Sequence, residues 1–217
     1  MNKATGQLRR LLAGKIAQFA GRHTGRLSIF AMRKLTGTQL RPRQISAIVA
    51  AIQQRQPCNF LVFGLGNDSP FWHHANTPGQ TVFLEDHPDW YREVSKRHPF
   101  LKAYQIAYTT KQKDWRKIEP SSKELWLNLP PPVMERKWDV ILVDAPAGWH
   151  EEGPGRMQSI HMSAVLCAAG GTVFVHDCDR AAEDFWSDTV FSNAAEREEI
   201  AGARGKRLLR RYRLAGD

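Results

Sequence analysis

The chain has 217 residues, 42% of them hydrophobic, and a formal net charge of +9, which suffices for one full core and excludes wholesale disorder. Its three cysteines, Cys58, Cys167 and Cys178, lack metal-type spacing and exclude a disulfide framework. No stretch approaches the ~20 continuous apolar residues that span a bilayer, since residues 11–20 are interrupted by Gly14, Lys15 and Gln18, so a soluble, cytoplasmic chain is expected.

Residues 1–57 hold eleven Lys or Arg and no Asp or Glu. They are expected to form a basic helical arm ahead of a cofactor-binding domain over 58–217. Leu8, Leu11, Leu12, Ile16 and Phe19 recur at roughly helical spacing, and Ile45, Ile48, Val49 and Ile52 mark a second helix over 42–54 that ends at Pro57. Residues 58–201 carry fourteen basic against twenty-one acidic residues, and the positive charge returns at Arg204, Lys206, Arg207, Arg210, Arg211 and Arg213. Such termini suit an anionic polymer or a membrane surface as partner, or are simply solvated.

From Asn59 the pattern alternates. Strands are predicted over 60–63, 81–84, 103–108, 139–143 and 172–175, and helices after Ser69 and over 88–97, 157–168 and 180–190. One or two terminal strands follow, near 197–201 and 207–214. This order predicts an α/β, Rossmann-like fold: a mainly parallel sheet of the seven-stranded type with helices on both faces.

The first strand runs into Gly64-Leu65-Gly66-Asn67-Asp68-Ser69-Pro70, where Ser69 and Pro70 suit an N-cap and the first helical turn. Glu85-Asp86 closes the next strand, Glu85 standing twenty-one residues after Gly64. A cofactor with a ribose needs this arrangement, because glycine admits close backbone approach and the acid accepts from ribose hydroxyls. The third glycine of a dinucleotide turn is missing, Ser69 following Gly66 by three, which suits a methyltransferase better than a pyrophosphate binder. Gly64, Gly66, Asp68, Ser69, Glu85 and Asp86 are therefore the cofactor candidates, with Tyr108 placed to flank an adenine. The glycines alone are also compatible with a tight turn.

Ligands of open parallel sheets bind outside the carboxyl ends of the strands. Asp144, His176, Asp177 and Asp179 fall there. Asp144, Asp177 and Asp179 offer oxygen ligands for Mg²⁺ or Mn²⁺, and a histidine favours a softer ion such as cobalt. Alternatively His176 or Asp177 takes a hydroxyl proton directly. Asp179 also suits the N-cap of the helix that follows. The arrangement resembles metal-dependent catechol methyltransferases, with Cys178 where their third ligand is expected. In the loop after Asp144, Trp149 and His150 suit stacking on a sugar and gripping its polar groups, and Arg156 suits a fork onto a substrate carboxylate; the same residues are equally compatible with a rigid surface loop in which Arg156 opens the next helix.

Several segments resemble one family: Pro57 to Gly66 followed by Asp68-Ser69, Phe83-Leu84-Glu85-Asp86, Trp138-Asp139 with Asp144-Ala145-Pro146, Gly153-Pro154-Gly155-Arg156-Met157, and Val175-His176-Asp177 with Arg180. They are similar to the glucuronoxylan 4-O-methyltransferases and their arabinogalactan relatives, in order through most of residues 42–190. The resemblance implies methyl transfer from S-adenosylmethionine to O4 of glucuronic acid on an acidic polysaccharide, helped by a divalent cation. Plant members are usually Golgi proteins with a membrane anchor, whereas this chain shows only a basic arm. Two other readings stay open. One is a methyltransferase of RNA or of another hydroxylated acceptor, although no Asn-Pro-Pro-Tyr motif is present. The other is an accessory protein without turnover.

Overall fold

The computed structural model describes Gly21, residues 25–202 and residues 206–216; the expected helix on Leu8, Leu11, Leu12, Ile16 and Phe19 lies outside the described residues, as does Arg204. Seven strands form one sheet: β1 Asn59–Phe63, β2 Gln80–Glu85, β3 Lys102–Gln105, β4 Trp138–Val143, β5 Cys167–Val175, β6 Glu196–Ile200 and β7 Leu209–Arg213, in the order β3-β2-β1-β4-β5-β7-β6. The first five are mutually parallel, and β7 runs antiparallel to both β5 and β6. The doubly wound, Rossmann-like architecture expected from the sequence is the one observed.

Successive strand residues face opposite sides of the sheet. Phe60, Val62, Phe83, Val140, Leu142 and Phe174 enter one apolar cluster, and Leu61, Phe63, Val82, Leu84, Ile141, Val143, Val173 and Val175 enter the other. Burial on both faces explains why these strands read as continuous apolar runs rather than alternating ones. The first cluster is covered by helices Pro42–Gln54, Ser69–Ala75 and Pro88–Arg97. It is also covered by Ile29 and Met32 of a helix the sequence reading did not anticipate, Arg26–Thr36, which ends on Gly37 at φ 73°. The second is covered by helices Met157–Leu166 and Ala181–Val190, and by Leu125, Leu127, Leu129 and Val133 from the weakly patterned stretch before β4. Full burial of each such side chain contributes about 1.5–3 kcal/mol.

Three boundaries differ from expectation. β3 stops at Gln105 instead of 108. The helix expected to 168 ends at Leu166, and the chain continues directly into β5, which pairs Cys167 with Trp138 and then shifts register to Thr172 opposite Val140. Gly170, at φ 65°, lies inside that irregularity. At the C-terminus, β6 places Glu196, Glu198 and Glu199 opposite Arg213, Arg211 and Arg210. Arg210, Arg211 and Arg213 of the basic run are therefore paired with acids across the ladder, with Arg210 buried among Glu199, Asp184 and Asp188. Among the described residues no helix is long and apolar enough to cross a membrane.

Register fixes the site. Leu84 pairs with Phe63, Phe63 with Val143, and Val143 with Val175. The residues that follow these four, Glu85, Gly64, Asp144 and His176, therefore emerge along one edge of the sheet.

Candidate active site

At that edge a cavity of about 490 Å³ is lined by Gly66, Asp68, Glu85, Asp86, Trp90, Asp144, Trp149, Arg156, Asp177 and Arg180, and is bounded on one side by Thr36 to Gln39. It adjoins a smaller one of about 170 Å³ that reaches down to Val62, Gly64, Ser69, Trp72 and Leu142. Gly66, Asp68, Glu85, Asp144 and Ala145 line both.

The glycine turn has the form a bound group requires. Gly64 sits at φ 126°, outside the range of other residues, and a Cβ there would lie 3.3 Å from that of Ala145. A Cβ on Gly66 would lie 2.7 Å from Asp68 Oδ1. Ser69 does not cap the helix as expected. Asp68 occupies the cap position without a side-chain capping bond, and Ser69 Oγ accepts from Gly66 N–H at 2.9 Å, closing the turn on itself.

Glu85 is buried and oriented by two main-chain donors, Leu65 N–H to Oε2 at 3.0 Å and His87 N–H to Oε1 at 2.9 Å. A carboxylate oxygen accepts more than one hydrogen bond, so both oxygens keep capacity for a diol. Burial raises the Glu85 carboxyl above its ordinary range, against the bonds from His87 and Leu65, and burial likewise raises Asp86. Burial also raises Asp68, opposed by hydrogen bonds from Thr38 and Trp72. Trp90, which the sequence reading passed over, donates its indole N–H to Leu65 O at 2.5 Å and forms a wall beside Glu85. Tyr108 lines neither cavity; its buried hydroxyl, near Asp86 and Glu85, is pushed well above its usual pKa, first by burial.

Asp144, His176 and Asp177 converge, with one ligating atom of each within 4.8 Å of the others. Asp144 Oδ1 lies 2.7 Å from His176 Nδ1, and Asp177 Oδ1 lies 3.7 Å from the same nitrogen. Asp177 adopts φ 63°, a left-handed conformation that Asp tolerates better than most residues. His176 is fully buried, whereas the Asp144 side chain is 32% exposed and faces both cavities. Burial alone would raise the Asp144 carboxyl; His176, then Arg156 and Arg180, outweigh it and hold the group below its ordinary range.

Two expectations need correction on geometry. Asp179 is exposed and accepts from Leu208 N–H at 2.9 Å, so it is turned toward the strand beyond β5 and neither joins the cluster nor caps the next helix, whose cap position is Arg180. Arg156 lines the cavity, but its guanidinium is committed: Nε donates to Pro146 O at 3.0 Å, Nη1 to His176 O at 2.7 Å and Nη2 to Asp144 O at 2.7 Å. Nη2 also lies 3.1 Å from Asp177 Oδ2. It clamps the loops that follow β4 and β5 together instead of offering a free fork. Arg180 Nη2 meets Asp177 Oδ2 at 2.9 Å, and below it Glu183 is buried with no hydrogen-bond partner on either carboxylate oxygen. A Cβ on Gly148 would collide with Glu183 Oε1, so the loop bearing Trp149 rests directly on this carboxyl. Trp149 itself is 75% exposed at the cavity mouth, and His150 meets it edge-on at 5.7 Å.

The sequence profile of the family described as IRX15/IRX15L/GXM matches residues 43–125 and 117–203. Two curated relatives from Arabidopsis thaliana are glucuronoxylan 4-O-methyltransferase 2, 40% identical over 66% of this chain and 57% of its own length, and glucuronoxylan 4-O-methyltransferase 3, 39% identical over 72% and 59%. The chain thus spans under two thirds of the length of either. Among solved structures, the O-methyltransferase TomG from Streptomyces achromogenes, in complex with SAM, superposes with a TM-score of 0.54 at 14% identity, covering 92% of this chain and 90% of that one. At that identity the likeness establishes a shared fold.

Proposed function

The chain belongs to the IRX15/IRX15L/GXM family, and from that premise we propose that it transfers a methyl group from S-adenosylmethionine to a sugar hydroxyl, O4 of a glucuronic acid residue on a glucuronoxylan-like polysaccharide. The observation that carries this reading is a pair of adjoining cavities that share Gly66, Glu85 and Asp144, the smaller reaching down to Gly64 and the larger bearing Trp149.

When bound, S-adenosylmethionine supplies an electrophilic methyl group on a sulfonium. The residues present fit it: Glu85 accepts from a ribose diol, and the glycines admit close main-chain approach. The larger cavity carries five carboxylates, on Asp68, Glu85, Asp86, Asp144 and Asp177, against the guanidinium groups of Arg156 and Arg180. That balance favours a cationic ligand over the neutral thioether left after transfer.

A divalent cation also fits the donor set, because Asp177 Oδ1 is buried without a hydrogen-bond partner and points toward His176 Nδ1 and Asp144 Oδ1. Asp144, His176 and Asp177 would hold it, and it would supply an acid that lowers the pKa of the acceptor hydroxyl. The mixed N/O set suits Mn²⁺ or Co²⁺ better than Mg²⁺.

Within the chain, Asp144 is a partly exposed carboxylate that lines both cavities and is held below its ordinary pKa range by His176 and Arg156 against the effect of burial. It accepts the hydrogen bond of the acceptor hydroxyl and takes up its proton. His176 behind it fixes the carboxylate, and Trp149 stacks on the sugar. Deuteromethyl-labelled cofactor tests the assignment. The label should appear at O4 of glucuronic acid in glucuronoxylan by NMR; label elsewhere on the polymer, or on none of its sugars, contradicts it.

A further inference from the structure

Beside the cavity mouth lies a second group of aromatic residues that the site above does not use. Gln112 N–H donates to Gly153 O at 2.7 Å and Lys113 N–H to Glu151 O at 3.0 Å, which straps residues 111–116 to the loop carrying Trp149. Trp115 packs against Phe185 with ring centroids 5.6 Å apart, and Phe185 is 45% exposed. The Arg116 guanidinium carbon stands 4.2 Å from the Trp115 ring centroid. The platform is anchored from behind, because Trp186 donates its indole N–H to Trp115 O at 3.1 Å.

The charges around it are unequal in a useful way. Lys111 and Lys113 are paired with Glu152, and Lys117 with Asp114. Among the described residues no acid is paired with Arg116, which has the Trp115 face for company. A guanidinium stacked on an indole keeps its donor edge free for a carboxylate. Exposed aromatic faces alongside offer the apolar contact that sugar C–H groups take. A nucleic acid, with a charge on every residue, would call for a row of unpaired cations; here the lysines on either side already have acidic partners, Lys111 and Lys113 sharing Glu152 and Lys117 on Asp114.

From these contacts we propose that Trp115, Arg116 and Phe185 form a distal subsite for an acidic glycan chain, holding a uronate-bearing stretch outside the reaction cavity while another sugar occupies it. The subsite makes long acceptors bind better than short ones. It rests on the reading of the cavity as a glycan methyltransferase site, and deepens it by assigning acceptor-length preference to residues that line neither cavity.

The test is calorimetric titration of the whole chain with a short glucuronoxylan fragment that fills only the cavity and with a long glucuronoxylan chain. It compares wild type, Arg116→Gln, and the double variant Arg116→Gln, Phe185→Ser. The single variant changes an exposed side chain and keeps the measurement meaningful should the double variant fold poorly. Affinity for the long chain should fall about tenfold in the double variant and by less in the single one, with the short fragment unaffected. Unchanged long-chain affinity in both variants overturns the subsite and leaves the acceptor assignment standing. Equal loss for short and long acceptors overturns it as well, since the residues would then act on the cavity. Wild type that binds glucuronoxylan of no length removes the acceptor and the subsite together. Binding of a single-stranded RNA that depends on Arg116 and Phe185, without a glycan effect, assigns the platform to another ligand.

Discussion

Arg156 Nη1 donates to the main-chain oxygen of His176 at 2.7 Å, tying the start of helix Met157–Leu166 to the end of β5. Through its other nitrogens the same guanidinium holds Pro146 O and Asp144 O and pairs with the buried Asp177. Arg156 is 5% exposed, and removing it leaves three carbonyl acceptors without their donor and the buried Asp177 with Arg180 as its remaining cationic partner. Arg156→Met should therefore cost about 3–5 kcal/mol in urea unfolding. Arg156→Lys should recover little, because an ammonium cannot reproduce the planar fork. Wild-type stability in the lysine variant would mean that the clamp does not hold these loops.

Glu183 gives the opposite sign. Burial raises its carboxyl, with Arg156 and Arg180 only partly opposing. A group whose folded pKa lies above its unfolded value favours the fold below the unfolded pKa and loses that contribution as pH rises through the folded one. Glu183 therefore weakens the fold progressively above about pH 4.5, its unfolded reference. Glu183→Gln should leave the melting temperature near wild type in acid and raise it at neutral pH. A melting difference independent of pH would contradict this.

Divalent cation binding should follow the observed cluster and not the acid spacing of the sequence. In equilibrium dialysis with Mn²⁺ or Co²⁺, Asp144→Asn and Asp177→Asn should each weaken binding by at least tenfold. Asp179→Asn should bind as wild type does, because its carboxylate serves Leu208 N–H. Loss on substituting Asp179 would overturn the ligand assignment.

Glu85→Ala should abolish binding of S-adenosylhomocysteine, read by calorimetry, while leaving the fold intact. The turn retains the Gly66 N–H bond to Ser69 Oγ, whereas Leu65 N–H and His87 N–H open to solvent. Undiminished binding would place the ribose elsewhere.

The sheet edge was readable in the sequence because its signals are local: an apolar strand, Gly64 and Gly66, then Glu85 at the end of the next strand. Parallel pairing then brings Asp144 and His176 to the same edge without further information. What sequence could not reveal depends on long-range partners. Arg156 reads as a substrate fork until three carbonyls, from Asp144, Pro146 and His176, are found to occupy it. Asp179 looks like Asp177 in one dimension, but the antiparallel return of the chain beside β5 presents it with Leu208 N–H. The wall from Thr36 to Gln39 lay inside a segment whose uniform basicity suggested an arm, although Ile29, Met32 and Leu40 join the core. Glu183 gave no signal, since its burial comes from the loop at Gly148 lying over it.

The most direct measurement is methyl transfer from labelled S-adenosylmethionine to glucuronoxylan oligosaccharides, followed as the rate of label incorporation by wild type and by Asp144→Asn at saturating concentrations of both ligands. Asp144 is assigned to accept the hydroxyl proton, so the variant should lose at least a hundredfold in rate while still binding S-adenosylhomocysteine. Transfer at the wild-type rate by Asp144→Asn, or no transfer by wild-type protein that binds the cofactor, would contradict the account.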